Sequence, residues 1–139
     1  PNAVREHGEE PKFLKVETPA RLLGSITALV RSELNEIDSG TLAVITPEQY
    51  VKPLSESFKA SSIEHGLVDD GALTSQVTIV PVDLVKGLEI DIAIVIEPSE
   101  ILHSATNGER SLYVALTRAT RRLLILHADD LPEVLQATE

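Results

Sequence analysis

The 139-residue chain has no cysteine, which excludes disulfides and thiolate metal sites and fits a cytoplasmic setting. No apolar run reaches the roughly 18 residues of a membrane span, and no signal-peptide pattern is present. Methionine is also missing, even at residue 1. Initiator removal before Pro1 and excision from a longer protein both account for that, and the motifs below favour a fragment. Basic residues are scarce: 12 Lys and Arg face 22 Asp and Glu, for a formal charge of −10. Phosphate neutralisation supplies most non-specific nucleic-acid affinity, so this balance argues against tight DNA or RNA binding by the isolated chain. It leaves room for a few local phosphate contacts within a larger assembly. There is no Gly-x-x-x-x-Gly-Lys-Ser/Thr phosphate loop, no acidic pair after a matching strand, no nucleophile elbow, no Ser-His-Asp order and no internal repeat. His7, His65, His103 and His127 lack metal-ligand spacing and read as surface or packing residues.

What remains is ordinary globular material, 42% hydrophobic and 24% charged, enough for one compact domain and too short for two. Residues 1–11 read as a linker or disordered terminus, and residues 12–139 as the domain. Phe13 to Glu17 suits a short strand, and Thr18-Pro19 a helix start. Leu22, Leu23, Ile26, Leu29, Val30, Leu34 and Ile37 then follow helical spacing, with Gly40 placed to end that unit. Leu42–Ile45 is a doubly apolar strand. Thr46 to Gln49 carries a capping-box pattern, and Pro53 either kinks the next helix or starts it afresh. Residues 60–75 read as a loop, with turn chemistry at Ser61-Ser62, Gly66 and Asp69-Asp70-Gly71. Val77–Val80 and Asp91–Ile96 are further strands, the second stopped by Pro98. A helix from about Gly108 to Ala119, a strand at Leu123–Leu126 and a short helix within 130–137 complete the chain. Alternating elements with doubly apolar strands predict an α/β layer fold with a mainly parallel sheet.

Two segments carry candidate chemistry. Val85-Lys86-Gly87-Leu88-Glu89-Ile90-Asp91 lies between two strands, where the end of a parallel strand is a usual ligand position. Gly87 permits close backbone approach, Lys86 offers a positive charge and Glu89 an acceptor for hydroxyls. The bland alternative is a tight loop with solvated charges. Ser111-Leu112-Tyr113-Val114-Ala115-Leu116-Thr117-Arg118-Ala119 ends a helix before a strand, with Leu112, Leu116 and Ala119 as its buried stripe. Arginines at a helix carboxyl end are favoured by the macrodipole, so Arg118, Arg121 and Arg122 also admit a purely structural reading.

Together, Lys86-Gly87-Leu88-Glu89 and Leu112 to Ala119, in this order and spacing, resemble motifs V and VI of UvrD/Rep-type superfamily 1 helicases. The resemblance covers about Val77 to Leu126. It implies a three-layer RecA-like (P-loop NTPase-type) α/β domain, the second motor domain of a cytoplasmic ATP-dependent helicase or translocase acting on single-stranded DNA. Arg118 matches the family's arginine finger, Glu89 the residue near the ribose, and Gly87 the backbone beside the phosphates, with Lys86 in the same loop. Tyr113 and Thr117 match positions linking the nucleotide and nucleic-acid sides. ATP with Mg²⁺ is then the implied ligand, its metal held by an N-terminal RecA-like domain that is missing here. Three features depart from the pattern. Asp83 stands where many members carry a histidine touching nucleic acid, Ile90 replaces a phenylalanine, and Thr46-Pro47-Glu48-Gln49 lacks the motif IV arginine. The accessory 2B insertion is also absent. These departures favour a reduced branch such as the HelD or helicase IV-like proteins, and motivate an alternative: a degenerate helicase domain docking on a protein such as RNA polymerase. An unrelated small-ligand α/β domain is the third reading.

Overall fold

The computed structural model describes residues 10–37, 39–68, 72–104 and 107–136. Parts of four expectations fall outside them: most of the proposed linker, His7, Asp69-Asp70-Gly71 and Ala137. Among the described residues, six parallel strands form one sheet in the order β1-β6-β5-β2-β4-β3. The strands are β1 (Lys12–Lys15), β2 (Leu42–Thr46), β3 (Gly66–Leu67), β4 (Val77–Pro81), β5 (Ile90–Ile96) and β6 (Ala119–His127). The helices are α1 (Leu22–Glu36), α2 (Val51–Ala60), α3 (Pro98–Ser104), α4 (Gly108–Leu116) and α5 (Glu133–Gln136).

Each sheet face has its own core, as doubly apolar central strands require. On one face α1 and α2 bury Leu22, Ile26, Val30, Leu54 and Phe58 against alternate residues of β2, β4, β5 and β6. On the other face Ile101, Leu112, Ala115, Leu116, Leu131 and Leu135 meet Ala43, Ile45, Val80, Ala93, Val95 and Ile125. This is the α/β layer fold with a parallel sheet that the alternating elements predict, in the three layers that the resemblance implies.

Several local expectations are corrected. Thr18 caps only a 3-10 turn, Pro19–Arg21, without a side-chain bond, and α1 begins after it. Gly40 does not end α1, which stops at Glu36; it lies at the entry to β2 with φ +111°. Thr46 closes β2 and makes no cap, its hydroxyl donating to the Pro47 carbonyl at 3.3 Å. Pro53 lies in the first turn of α2, where its missing N–H costs no helix bond. Pro98 opens a helix instead of merely ending β5. The 60–75 loop contains the two-residue edge strand β3, too short to show a period. Finally, α4 ends at Leu116, and Ala119, Arg121 and Arg122 belong to β6.

Candidate functional site

The connection from β4 to β5 explains where the first motif segment goes. It leaves the carboxyl end of β4 at Pro81 and must reach the amino end of β5 at Ile90, because both strands pair with β2 in parallel. Val82, Val85 and Leu88 recur every third residue and are buried on the α4 face of the sheet. Two successive tight turns carry that spacing, Val85 N–H to Val82 carbonyl at 3.3 Å and Leu88 N–H to Val85 carbonyl at 3.2 Å. Gly87, at the third position of the second turn, has φ +85°. That is the left-handed conformation a type II turn demands, and it makes glycine the fitting residue.

Asp83, Lys86, Gly87 and Glu89 are therefore left exposed. The segment starts at the carboxyl edge but delivers Lys86, Gly87 and Glu89 toward the amino edge of β5. This corrects the expectation of a carboxyl-edge site: the apolar anchors pull the chain along the sheet. Asp83, two residues past Pro81, stays near the edge the segment leaves.

The second segment arrives at the same amino edge. Helix α4 runs back along the sheet and ends where Thr117 turns its hydroxyl onto the Tyr113 and Val114 carbonyls at 3.0 and 3.1 Å. Arg118 follows, half-buried, with Nε donating to the Val114 carbonyl at 3.2 Å and Nη2 lying 3.5 Å from the Thr117 hydroxyl. It caps the negative end of α4, as the structural reading of this arginine predicts. Arg121 and Arg122 do not share that role. Arg122 instead crosses to α1, pairing with Glu33 at 2.5 Å and lying 3.7 Å from Glu36.

Ile90 and Ala119 are paired across β5 and β6. Glu89 and Arg118, each one residue earlier, thus enter neighbouring strands whose backbones run about 4.8 Å apart. The structure brings Lys86, Gly87, Glu89, Thr117 and Arg118 to one edge and leaves Asp83 outside the group. Lys86 and Arg118 supply cationic donors, and Glu89 an acceptor. That donor set fits the phosphates and sugar hydroxyls of a nucleotide approached from one side. Open grooves of about 600 Å³ beside β1 and about 450 Å³ at the amino end of α4 lie elsewhere, and neither is lined by Lys86, Glu89 or Arg118.

The sequence reading missed a set of bonds beneath this edge. Asp91 Oδ2 accepts from the Thr41 N–H at 2.8 Å, and the Asp91 N–H donates to the Thr41 hydroxyl at 3.1 Å. The Thr120 hydroxyl lies 3.4 Å from both Asp91 Oδ1 and the Ile90 carbonyl. Only the exact tertiary pairing joins residues 29 to 50 positions apart, so no local pattern marks them.

At the opposite, carboxyl edge, Glu97, Glu100 and Asp129 present oxygens within 4.8 Å of one another. The Glu97 carboxylate accepts from the Ala128 N–H at 3.1 Å and the Asp129 N–H at 3.4 Å, while Glu100 is held by Gln49 at 2.6 Å and Tyr50 at 2.7 Å. Burial raises the Glu97 pKa above the ordinary carboxylate value, opposed by the two backbone bonds and reinforced by Asp129 and Glu100. Burial likewise raises the Tyr50 phenol, with Glu100 adding to it.

No protein-family model and no curated protein sequence matches the chain. Solved structures do. The C-terminal domain of a possible DNA helicase from Lactobacillus plantarum WCFS1 superposes with a TM-score of 0.70 at 23% identity, over 93% of this chain and 80% of that one. The UvsW helicase from bacteriophage T4 superposes with a TM-score of 0.58 at 15% identity, over 85% of this chain and 46% of that one. The fold is therefore one shared with the C-terminal domain of that possible DNA helicase and with part of the UvsW helicase. No helix among the described residues is long and apolar enough to cross a membrane.

Proposed function

We propose that this chain acts as the second motor domain of a superfamily 1 helicase or translocase, facing ATP held by a separate first RecA-like domain. The observation that carries the reading is the meeting of Glu89 and Arg118 at the entries of adjacent strands, beside the Lys86-Gly87 turn. The substrate chemistry is transfer of the terminal phosphoryl group of ATP to water, with Mg²⁺ held by the partner domain. This chain's residues then have distinct tasks. Arg118 exchanges its Val114 carbonyl contact for phosphate oxygens and stabilises the charge that grows in the transition state, an effect worth about 10³–10⁵ in rate. Lys86 attracts the phosphates as a point charge, and Glu89 accepts from a sugar hydroxyl. Thr117 holds the last turn of α4 and so the start of the Arg118 side chain. Opening and closing of the two domains then moves the protein along single-stranded DNA. The likeness to helicase C-terminal domains supports this reading, as do the two motif resemblances.

The test is nucleic-acid-stimulated ATP turnover by the full-length protein. Arg118→Ala should remove most of it while leaving the fold intact, and wild-type turnover would sink the finger assignment. A second reading, a domain docking on a protein such as RNA polymerase, is favoured by the exposed acidic Asp83, by its neighbour Leu84, which is 51% exposed, and by the lack of an arginine in Thr46-Pro47-Glu48-Gln49. Core-polymerase capture without nucleic-acid stimulation is its distinguishing outcome.

A further inference from the structure

Parallel pairing of β5 with β6 is interrupted beside the candidate site. Ile90 pairs with Ala119, but the next pair is Ile92 with Arg122. Thr120 and Arg121 on β6 therefore oppose the single residue Asp91 on β5. Such a bulge breaks the backbone ladder and re-aims the residues on its far side, and bulges concentrate beside active sites. The residues on the far side here are Glu89 on one strand and Arg118 on the other.

We infer that Asp91 is a positioning residue that sets Arg118 against Glu89 by bridging this bulge with its side chain. The inference rests on the motor reading proposed above. Its geometry runs across three strands. One carboxylate oxygen takes the Thr41 N–H at 2.8 Å, and the Asp91 N–H returns a bond to the Thr41 hydroxyl, so the entry of β5 is clasped to the entry of β2. The Ile92 N–H adds a third link to the Thr41 carbonyl at 3.0 Å. The other carboxylate oxygen lies 3.4 Å from the Thr120 hydroxyl, which is also 3.4 Å from the Ile90 carbonyl. Gly40 completes the arrangement: a Cβ there would stand 2.6 Å from Asp91 Oδ2, so the residue before Thr41 must lack one for the carboxylate to fit. The clasp thus replaces the backbone bonds that the bulge removes. It holds β6 at a fixed offset two residues after Arg118, and β5 at a fixed offset two residues after Glu89.

A misplacement of about 1 Å in a reacting constellation can cost about 10²-fold in rate. The experiment measures ATP turnover of the full-length protein for Asp91→Ala, Asp91→Asn and Thr120→Val, with Arg118→Ala as reference. Asparagine keeps both links, its oxygen accepting from the Thr41 N–H and its amide donating to the Thr120 hydroxyl. Expected are a loss in kcat of about tenfold or more for Asp91→Ala, a smaller loss for Thr120→Val, and recovery in Asp91→Asn. The KM for ATP should change far less than kcat, because the finger acts in the transition state. Wild-type kcat in a folded Asp91→Ala overturns the inference. If that variant does not fold, wild-type kcat in Thr120→Val overturns it instead, as does an Asp91→Asn no better than Asp91→Ala. Wild-type turnover in Arg118→Ala is a separate result: it removes the motor reading itself, whatever Asp91 does.

Discussion

Replacing Gly40 by alanine tests the packing of the amino edge without replacing a charged residue. Two costs can be worked from the structure. The backbone there has φ +111°, a conformation that costs an ordinary residue about 1–3 kcal/mol. The added Cβ would also lie 2.6 Å from Asp91 Oδ2 and 3.2 Å from its Cγ, so the carboxylate must move. That movement weakens the 2.8 Å bond from the Thr41 N–H, and a bond to a charged group contributes about 1.5–3 kcal/mol. With partial relaxation the sum is about 3 kcal/mol. For a domain of this size that corresponds to roughly 10 °C in melting temperature. Urea and thermal melts followed by circular dichroism read it directly. Gly24→Ala is the matched control: Gly24 lies within α1, and nothing stands within 4 Å of a Cβ there. It should stabilise by about 0.5–1 kcal/mol. A Gly40→Ala variant melting within about 1 kcal/mol of wild type would refute the close approach of Gly40 to Asp91.

Two further outcomes follow from buried charge. The Arg122–Glu33 pair, with side chains only 19% and 10% exposed, ties β6 to α1. Glu33→Ala should cost about 2–4 kcal/mol in urea melts, softened by Glu36 nearby, whereas Glu33→Leu with Arg122→Met should come close to wild type. Glu97 behaves oppositely in pH. Its folded-state pKa is raised, so the protein binds its proton more tightly when folded, and the stability it contributes is lost as pH rises through the folded value. Glu97→Gln should therefore raise the melting temperature at pH 7, with the difference fading as the pH falls through the ordinary carboxylate range. A difference independent of pH between 4 and 7 would contradict the assigned cause.

Long-range placement was the part hardest to read from sequence. Doubly apolar runs at Leu42–Ile45 and Ile92–Ile96 announced central parallel strands, because residues buried on both faces leave no alternation. The i, i+3, i+4 spacing from Leu22 to Ile37 announced α1 for a different reason, because a helix buried along one stripe repeats its apolar residues at that interval. Boundaries failed where side chains outvoted local propensity. Thr117 ends α4 by bonding back to Tyr113 and Val114, so a helix expected to reach Ala119 stops at Leu116. At the candidate site, the motif residues were legible but their edge was not. Val82, Val85 and Leu88 carry a burial period of three that identifies the path of the crossover only once β4 and β5 are known to flank β2. Asp91 shows locally only as the end of a motif, since its partners Thr41 and Thr120 lie 50 and 29 residues away.

The most direct test of the central claim compares two arginines on the same stretch of chain. In the full-length protein, steady-state ATP turnover should fall about 10³-fold or more for Arg118→Ala. It should stay within about threefold for Arg110→Ala, an exposed position near the start of α4 away from the shared edge. Equal turnover by wild type and a folded Arg118→Ala would contradict the account.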